Sequence, residues 1–270
     1  DLQETTLRDA RAAVAAYREV LQLAPMHQQA RAALERMLTV SPPISNEMRT
    51  DIVEVLEPLF EQDGDAARLI NVLEAKLVIE EDPIDRATSL GRIVELAEGR
   101  LGDRARALDA ALRWLAIDPA SNQALSETER LAERLGQWQE VGTRLSAIVH
   151  ARDAATRDPD VQVALLVFLG KIQRERLGQL DEAAAAYRAA LALEPEALSA
   201  LDALIEILRQ KGDAVALADA LRQRGKTVQE MPEKRAAFAE VAQLAERSGD
   251  REGAIAAWRE ITDNDDTDRP

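Results

Sequence analysis

The sequence predicts an all-α protein of the α-solenoid class, a pile of antiparallel helical hairpins. Three observations carry that prediction. Ala, Leu, Arg and Glu dominate the 270 residues, whereas only 12 are Gly and 10 Pro, a composition that favours helix nearly throughout. Near-copies of one short helix recur, as AVAAYREVLQLAP (13–25), ALDAALRWLAIDP (107–119), AAAAYRAALALEP (183–195) and AIAAWREIT (254–262). Six glycines punctuate the chain at Gly64, Gly102, Gly136, Gly178, Gly212 and Gly249, with gaps of 38, 34, 42, 34 and 37 residues.

The glycines define the hairpin. Five and nine residues beyond each stand Leu69/Leu73, Ala107/Ala111, Val141/Leu145, Ala183/Tyr187, Leu217/Leu221 and Ala254/Trp258. All twelve are apolar, and a spacing of four puts each pair on one helical face. Amphipathic stretches such as IVELAEGR (93–100) and LDALIEILRQK (201–211) precede the glycines. Each glycine therefore sits between two helices, as a left-handed cap that ends the first and reverses the chain. Pro25, Pro83, Pro119, Pro159, Pro195 and Pro232 mark the other junction, because proline cannot continue one helix but fits the first turn of the next. The repeating unit is helix, Gly turn, helix, Pro turn. In 183–195 the alanines form a tight helix seam, Tyr187 is the knob that fills the gap to the neighbouring hairpin, and Pro195 ends the helix. One such unit cannot bury its apolar stripe alone, so copies must stack.

A period near 34 residues, small residues at the crossing, an aromatic four later and a closing proline resemble the tetratricopeptide repeat. The matching positions are Gly170, Gly178, Ala183, Tyr187 and Pro195, then Leu201, Leu204, Leu208, Gly212, Leu217 and Leu221. The resemblance covers roughly residues 8–262 and implies a right-handed superhelix of about six to seven hairpins. The family's Trp near the start of the first helix is missing. Ala occupies the crossing after Gly102, Gly178 and Gly249, but Leu or Val after Gly64, Gly136 and Gly212. The underlying period is thus a double hairpin of about 75 residues, as in long bacterial multi-repeat arrays. Heavy Ala and Arg use with little Lys points to a GC-rich bacterial genome.

Residues 1–270 read as a single array with one irregularity. Tyr17 and its analogue Ala111 stand 94 residues apart, about one helix too many. The surplus falls around MLTVSPPISNEMRTD (37–51), where consecutive prolines disfavour helix. Helices are expected at 26–39 and 46–62, paired as an irregular hairpin. The first helix, 8–23, and the last, 250–262, are both second helices of hairpins, and TDNDDTDRP (262–270) reads as an acidic, disordered tail from 263 onward. With no polar capping helix, Ile255, Trp258 and Ile261 are expected to stay partly uncovered. The chain is then an excised segment, or its ends pair with another copy.

Composition also excludes function classes. Without cysteine there are no disulfides, thiolate catalysis or Cys-based zinc sites. A net charge of −15 disfavours binding to a phosphate backbone. No run of 18 apolar residues exists, so no helix is expected to insert in a membrane. No secretory signal is visible, and the cytoplasm is the expectation. His27 and His150 lack companions at ligand spacing, no nucleophile elbow or phosphate loop is present, and DNDDTD (263–268) lacks the Gly and Glu of a calcium loop. Trp114, Trp138 and Trp258 lie on apolar stripes and read as core. No cofactor, metal or catalytic residue is expected, and the chain reads as a non-enzyme.

The resemblance implies a protein–protein interaction scaffold that holds a peptide or partner helix in a concave groove. Helical spacing nominates outward residues of the first helices as its wall: Arg130, Glu133 and Arg134; Lys171 and Arg174; Asp202, Glu206 and Arg209; Glu240 and Gln243. Arg suits bidentate carboxylate recognition. The family's Lys- and Asn-based carboxylate clamp is not recognisable. The alternatives are a structural or oligomerising spacer of a larger protein, and a regulatory docking region attached to a catalytic domain outside this chain. A spacer has a featureless groove, whereas a binder shows a charge-patterned patch with an apolar centre.

Overall fold

A computed structural model describes residues 10–39, 44–151 and 158–266. Fourteen α-helices and no strand occur among the described residues. Contacts divide the chain into two compact units, residues 1–137 and 138–270.

In the first unit, α1 (Ala10–Leu23), α2 (Gln28–Thr39) and α3 (Asn46–Asp63) pack against one another. The surplus helix predicted from the broken rhythm is α2, and it does pair with α3. Ile44 and Ser45 of the SPPIS stretch are described, and the Ser45 hydroxyl caps α3 by accepting from the Met48 amide at 3.3 Å. Ser41, Pro42 and Pro43 lie outside the described residues. α3 continues through Pro58, although proline removes one backbone donor from the helix interior. Regular hairpins follow: α3 with α4 (Ala66–Leu77), α5 (Pro83–Gly99) with α6 (Arg104–Ile117), and then α7 (Asn122–Leu135) against α6.

The second unit opens with α8 (Trp138–Val149) against α9 (Pro159–Glu175). Hairpins of α9 with α10 (Leu180–Leu193), α11 (Leu198–Lys211) with α12 (Ala214–Thr227), and α13 (Met231–Ser248) with α14 (Arg251–Asp266) stack in order. In both units each helix packs on its neighbours in sequence, which is the solenoid arrangement.

The six turn glycines are the residues with positive φ among those described, at 67–80°. That left-handed region is costly for any residue with a Cβ. Five of the turns come in two forms. After Gly64, Gly212 and Gly249 the next amide reaches back five residues, to Phe60, Leu208 and Ala245. After Gly102 and Gly178 it reaches back six, to Ala97 and Gln173. An aspartate follows four of the glycines, and Asp65, Asp103 and Asp213 each accept from an amide three residues on. One dipeptide thus ends one helix and caps the next. The prolines also divide: Pro83 and Pro159 begin α5 and α9 and Pro232 stands in the first turn of α13, whereas Pro25, Pro119 and Pro195 lie in the turns before α2, α7 and α11.

Eleven of the twelve paired apolar positions are buried; Trp258 is 42% exposed. Ile255 is exposed as well, so part of one face of α14 is uncovered. α14 continues to Asp266, so the acidic segment expected to be disordered from 263 is helical through 266; residues 267–270 lie outside the described residues. The tryptophans depart from the core expectation. Trp138 is half-buried under the Arg176 guanidinium, 4.8 Å from the ring centroid, and Trp114 is half-buried. Tyr187 is buried at 2% exposure and packs against α9 of its own hairpin, with Glu206 of the next hairpin close enough to act on its phenol. A Cβ on Gly170 of α9 would lie 2.8 Å from the Tyr187 ring. Glycine at that position lets the ring lie flat against the partner backbone.

Candidate functional site

The first helices of the hairpins are α3, α5 and α7 in one unit and α9, α11 and α13 in the other. Arg–carboxylate pairs join each to the next within its unit. Arg92 of α5 reaches Glu57 at 3.3 Å and also bonds Glu61, both on α3. Arg130 of α7 makes a forked pair with Glu98 of α5, which also accepts from Arg134 at 3.0 Å. In the second unit Arg174 of α9 donates to Glu206 of α11 at 2.8 Å. Arg209 of α11 makes a forked pair with Glu240 of α13 at 2.9 and 2.5 Å. Most of these partners stand 31 or 32 residues apart, so the ladder has the step of the repeat itself.

The ladder shapes the local electrostatics. Hydrogen bonds from Arg130, with the charges of Arg130, Arg134 and Arg104, hold the Glu98 carboxyl below its ordinary range. The same pairing raises Arg130, as Glu240 raises Arg209 and Glu175 raises Arg174. Burial pushes the Tyr187 phenol up beside Arg174. These groups are locked in their charged or neutral forms near neutrality, and none is poised for proton transfer.

Of the ten residues nominated from the sequence, Arg130, Arg134, Arg174, Glu206, Arg209 and Glu240 are members of this ladder. Asp202 is drawn off it, because Arg224 of α12 donates to it at 2.6 Å. Gln243 is exposed on α13, and Glu133 and Lys171 are also exposed. The nominated arginines are therefore held in pairs with carboxylates of neighbouring first helices, in place of a row of open arginines. The His27 ring accepts from the Ala30 amide at 3.1 Å, and His150 lies 2.8 Å from the Ser146 carbonyl. No group of three or more His, Asp or Glu able to hold a metal occurs among the described residues. No described helix is long and apolar enough to cross a membrane.

A groove of about 740 Å³ lies in the first unit, and sequence reasoning missed it. Its apolar lining comes from Ile84, Ala87 and Gly91 of α5 and from Trp114 and Ile117 of α6. Glu61, Arg92, Glu95 and Asp118 supply its charged lining. Ile84 is 75% exposed. Gly91 admits the Trp114 ring: a Cβ there would lie 3.2 Å from the indole. The indole N–H is buried without an acceptor. An isolated glycine inside a helix pattern signals such close approach, and Gly91 is that signal in the sequence.

The tetratricopeptide repeat family profile matches residues 163–196, the stretch that contains Gly170, Gly178, Ala183, Tyr187 and Pro195. A curated relative, cellulose synthase operon protein C of Pseudomonas fluorescens (strain SBW25), is 27% identical over 214 residues. That alignment covers 75% of this chain, and the chain spans only 16% of the relative. Among solved structures, pilF of Pseudomonas aeruginosa aligns over 78% of this chain and 90% of its own, at 15% identity and a TM-score of 0.39. BtubC from P. vanneervenii aligns over 100% of this chain and 94% of its own, at 13% identity and a TM-score of 0.31. The TPR2AB domain of yeast Sti1, solved as a complex with pHSP90, aligns over 92% of this chain and 98% of its own, at 14% identity and a TM-score of 0.25.

Proposed function

We propose that this chain, a tetratricopeptide-repeat protein, is a non-enzymatic scaffold that holds a segment of a partner protein against its first helices. The observation that carries the reading is the patterned face of the first unit. A ladder of charge pairs fixes α3, α5 and α7 relative to one another, and an apolar-lined groove opens beside it. A pre-set surface of this kind lowers the ordering cost of binding. It supports a binder over a spacer, which needs neither an apolar centre nor a charged rim.

The test is selection of a random linear dodecapeptide display library on the immobilised 270-residue chain. A scaffold yields peptides that bind with 1:1 stoichiometry in calorimetry and are lost when first-helix residues such as Ile84 or Gln243 are changed. Failure to select any saturable binder would leave the spacer reading in its place. A second reading rests on the curated relative alone: the chain is a repeat stretch serving a cellulose synthase operon. Its gene lying beside cellulose synthase genes would support that reading, and its absence from any such cluster would remove it.

A further inference from the structure

We infer that the groove of the first unit takes a partner segment in which a large apolar side chain is flanked by lysine or arginine. This inference rests on the scaffold reading and goes further by naming the chemistry of the bound segment.

The apolar half of the argument is the lining. Ile84 stands largely in solvent beside Ala87, Gly91, Trp114 and Ile117. A single exposed apolar side chain needs no explanation. Here it borders a recess of about 740 Å³, within the size range of sites that enclose organic groups. An indole and two isoleucines in a recess reward an aliphatic or aromatic side chain entering it.

The charged half is the imbalance around the recess. Glu61, Glu95 and Asp118 put three carboxylates against the single guanidinium of Arg92. That guanidinium is already bonded to Glu57 and Glu61. Among the described residues neither Glu95 nor Asp118 makes an ion pair. Elsewhere on the first-helix face carboxylates such as Glu98, Glu206 and Glu240 have arginine partners. The groove thus carries negative charge that the ladder leaves uncompensated. Free carboxylates flanking an apolar recess favour a cationic partner and repel an acidic one. The net charge of −15 adds an attractive field for a basic segment.

The experiment uses the whole chain and three fluorescein-labelled dodecapeptides. One carries a central Leu-Phe pair flanked by lysines, the second replaces the pair with serines, and the third replaces the lysines with glutamates. Fluorescence anisotropy is expected to show saturable binding of the first, with affinity roughly tenfold weaker for the second and no binding of the third. Ile84→Asp and Glu95→Lys should each weaken the first peptide by about tenfold, whereas Glu252→Lys, an equal charge change on α14, should leave it unaltered. All three sites are exposed, so folding is preserved, and circular dichroism checks it. Binding of the glutamate peptide as tight as the lysine peptide, or equal loss from Glu252→Lys and Glu95→Lys, would overturn the inference as mere bulk electrostatics. Display-selected binders that are acidic, or that Ile84→Asp leaves untouched, would overturn it while sparing the scaffold reading. A library that yields no binder would remove both.

Discussion

Replacing Gly170 with alanine puts a methyl carbon where the Tyr187 ring already stands. The added Cβ would lie 2.8 Å from Cε1 and Cζ and 3.1 Å from Cδ1. Carbon atoms settle at about 3.5–4.0 Å, so three ring atoms are too close at once. The ring cannot swing away, because Tyr187 is 2% exposed and sits in the α9–α10 seam. Overpacking of this kind costs about 1–3 kcal/mol. Alanine recovers at most about 1 kcal/mol of helix propensity over glycine, so a net loss of about 1–2 kcal/mol is expected, with a larger loss for Gly170→Val. Gly99→Ala is the internal control, since a Cβ there meets nothing within 4 Å; it should be neutral or mildly stabilising. The assay is urea unfolding followed by far-UV circular dichroism, with Tyr187→Leu and the double variant completing a cycle. The clash predicts that the double variant is more stable than the sum of the singles implies. Gly170→Ala as stable as the parent, or additive with Tyr187→Leu, would refute the packing argument.

Other expectations follow from the same geometry. Gly212→Ala forces a side chain into φ 70° and should lower stability by about 1 kcal/mol, and Asp213→Ala, which removes the cap on the Ala216 amide, should cost about 1 kcal/mol; urea midpoints measure both. Glu98→Gln weakens a carboxylate held by Arg130 and Arg134, and should cost about 1 kcal/mol at neutral pH once solvent screening of the partly exposed arginines is allowed for. Because the folded state lowers the Glu98 pKa from 4.5, its stabilisation is full above that value and fades as pH falls through the depressed one. The gap between parent and Glu98→Gln midpoints should therefore close in acid, and a gap that widens would contradict the assignment. Arg174→Leu and Glu206→Leu should each cost under about 1 kcal/mol, with coupling in a double-mutant cycle.

Much of the fold was legible because two residue types act locally. Gly64, Gly102, Gly136, Gly178, Gly212 and Gly249 take the positive φ that their spacing implied, and the paired apolar positions beyond them supply the core. The extra helix α2 was legible from a broken period. What escaped was set by contacts between repeats, where side chains distant in sequence decide the outcome. That Tyr187 also lies against Gly170 of its own hairpin was not legible, because the glycine stands seventeen residues away in sequence. The tryptophans lie on apolar stripes, yet a stripe position near a helix end, as Trp114 is in α6, can open to a groove. The nominated arginines lie on first helices, but their pairing was hidden because each residue was read alone. The clue was present: Arg92 and Glu61, Arg130 and Glu98, Arg174 and Glu206, and Arg209 and Glu240 stand one repeat apart. Gly91, an isolated mid-helix glycine outside the periodic set, was the corresponding clue to the groove.

The most direct measurement of the scaffold claim is site-specific photo-crosslinking of a display-selected peptide. A photoreactive residue is placed at Thr88 of α5 or Gln123 of α7 on the first helices, and at Val215 of α12 or Ile255 of α14 on the second. The account predicts saturable adducts from first-helix positions, strongest at Thr88, and none from Val215 or Ile255. Adducts confined to the second-helix positions would contradict it.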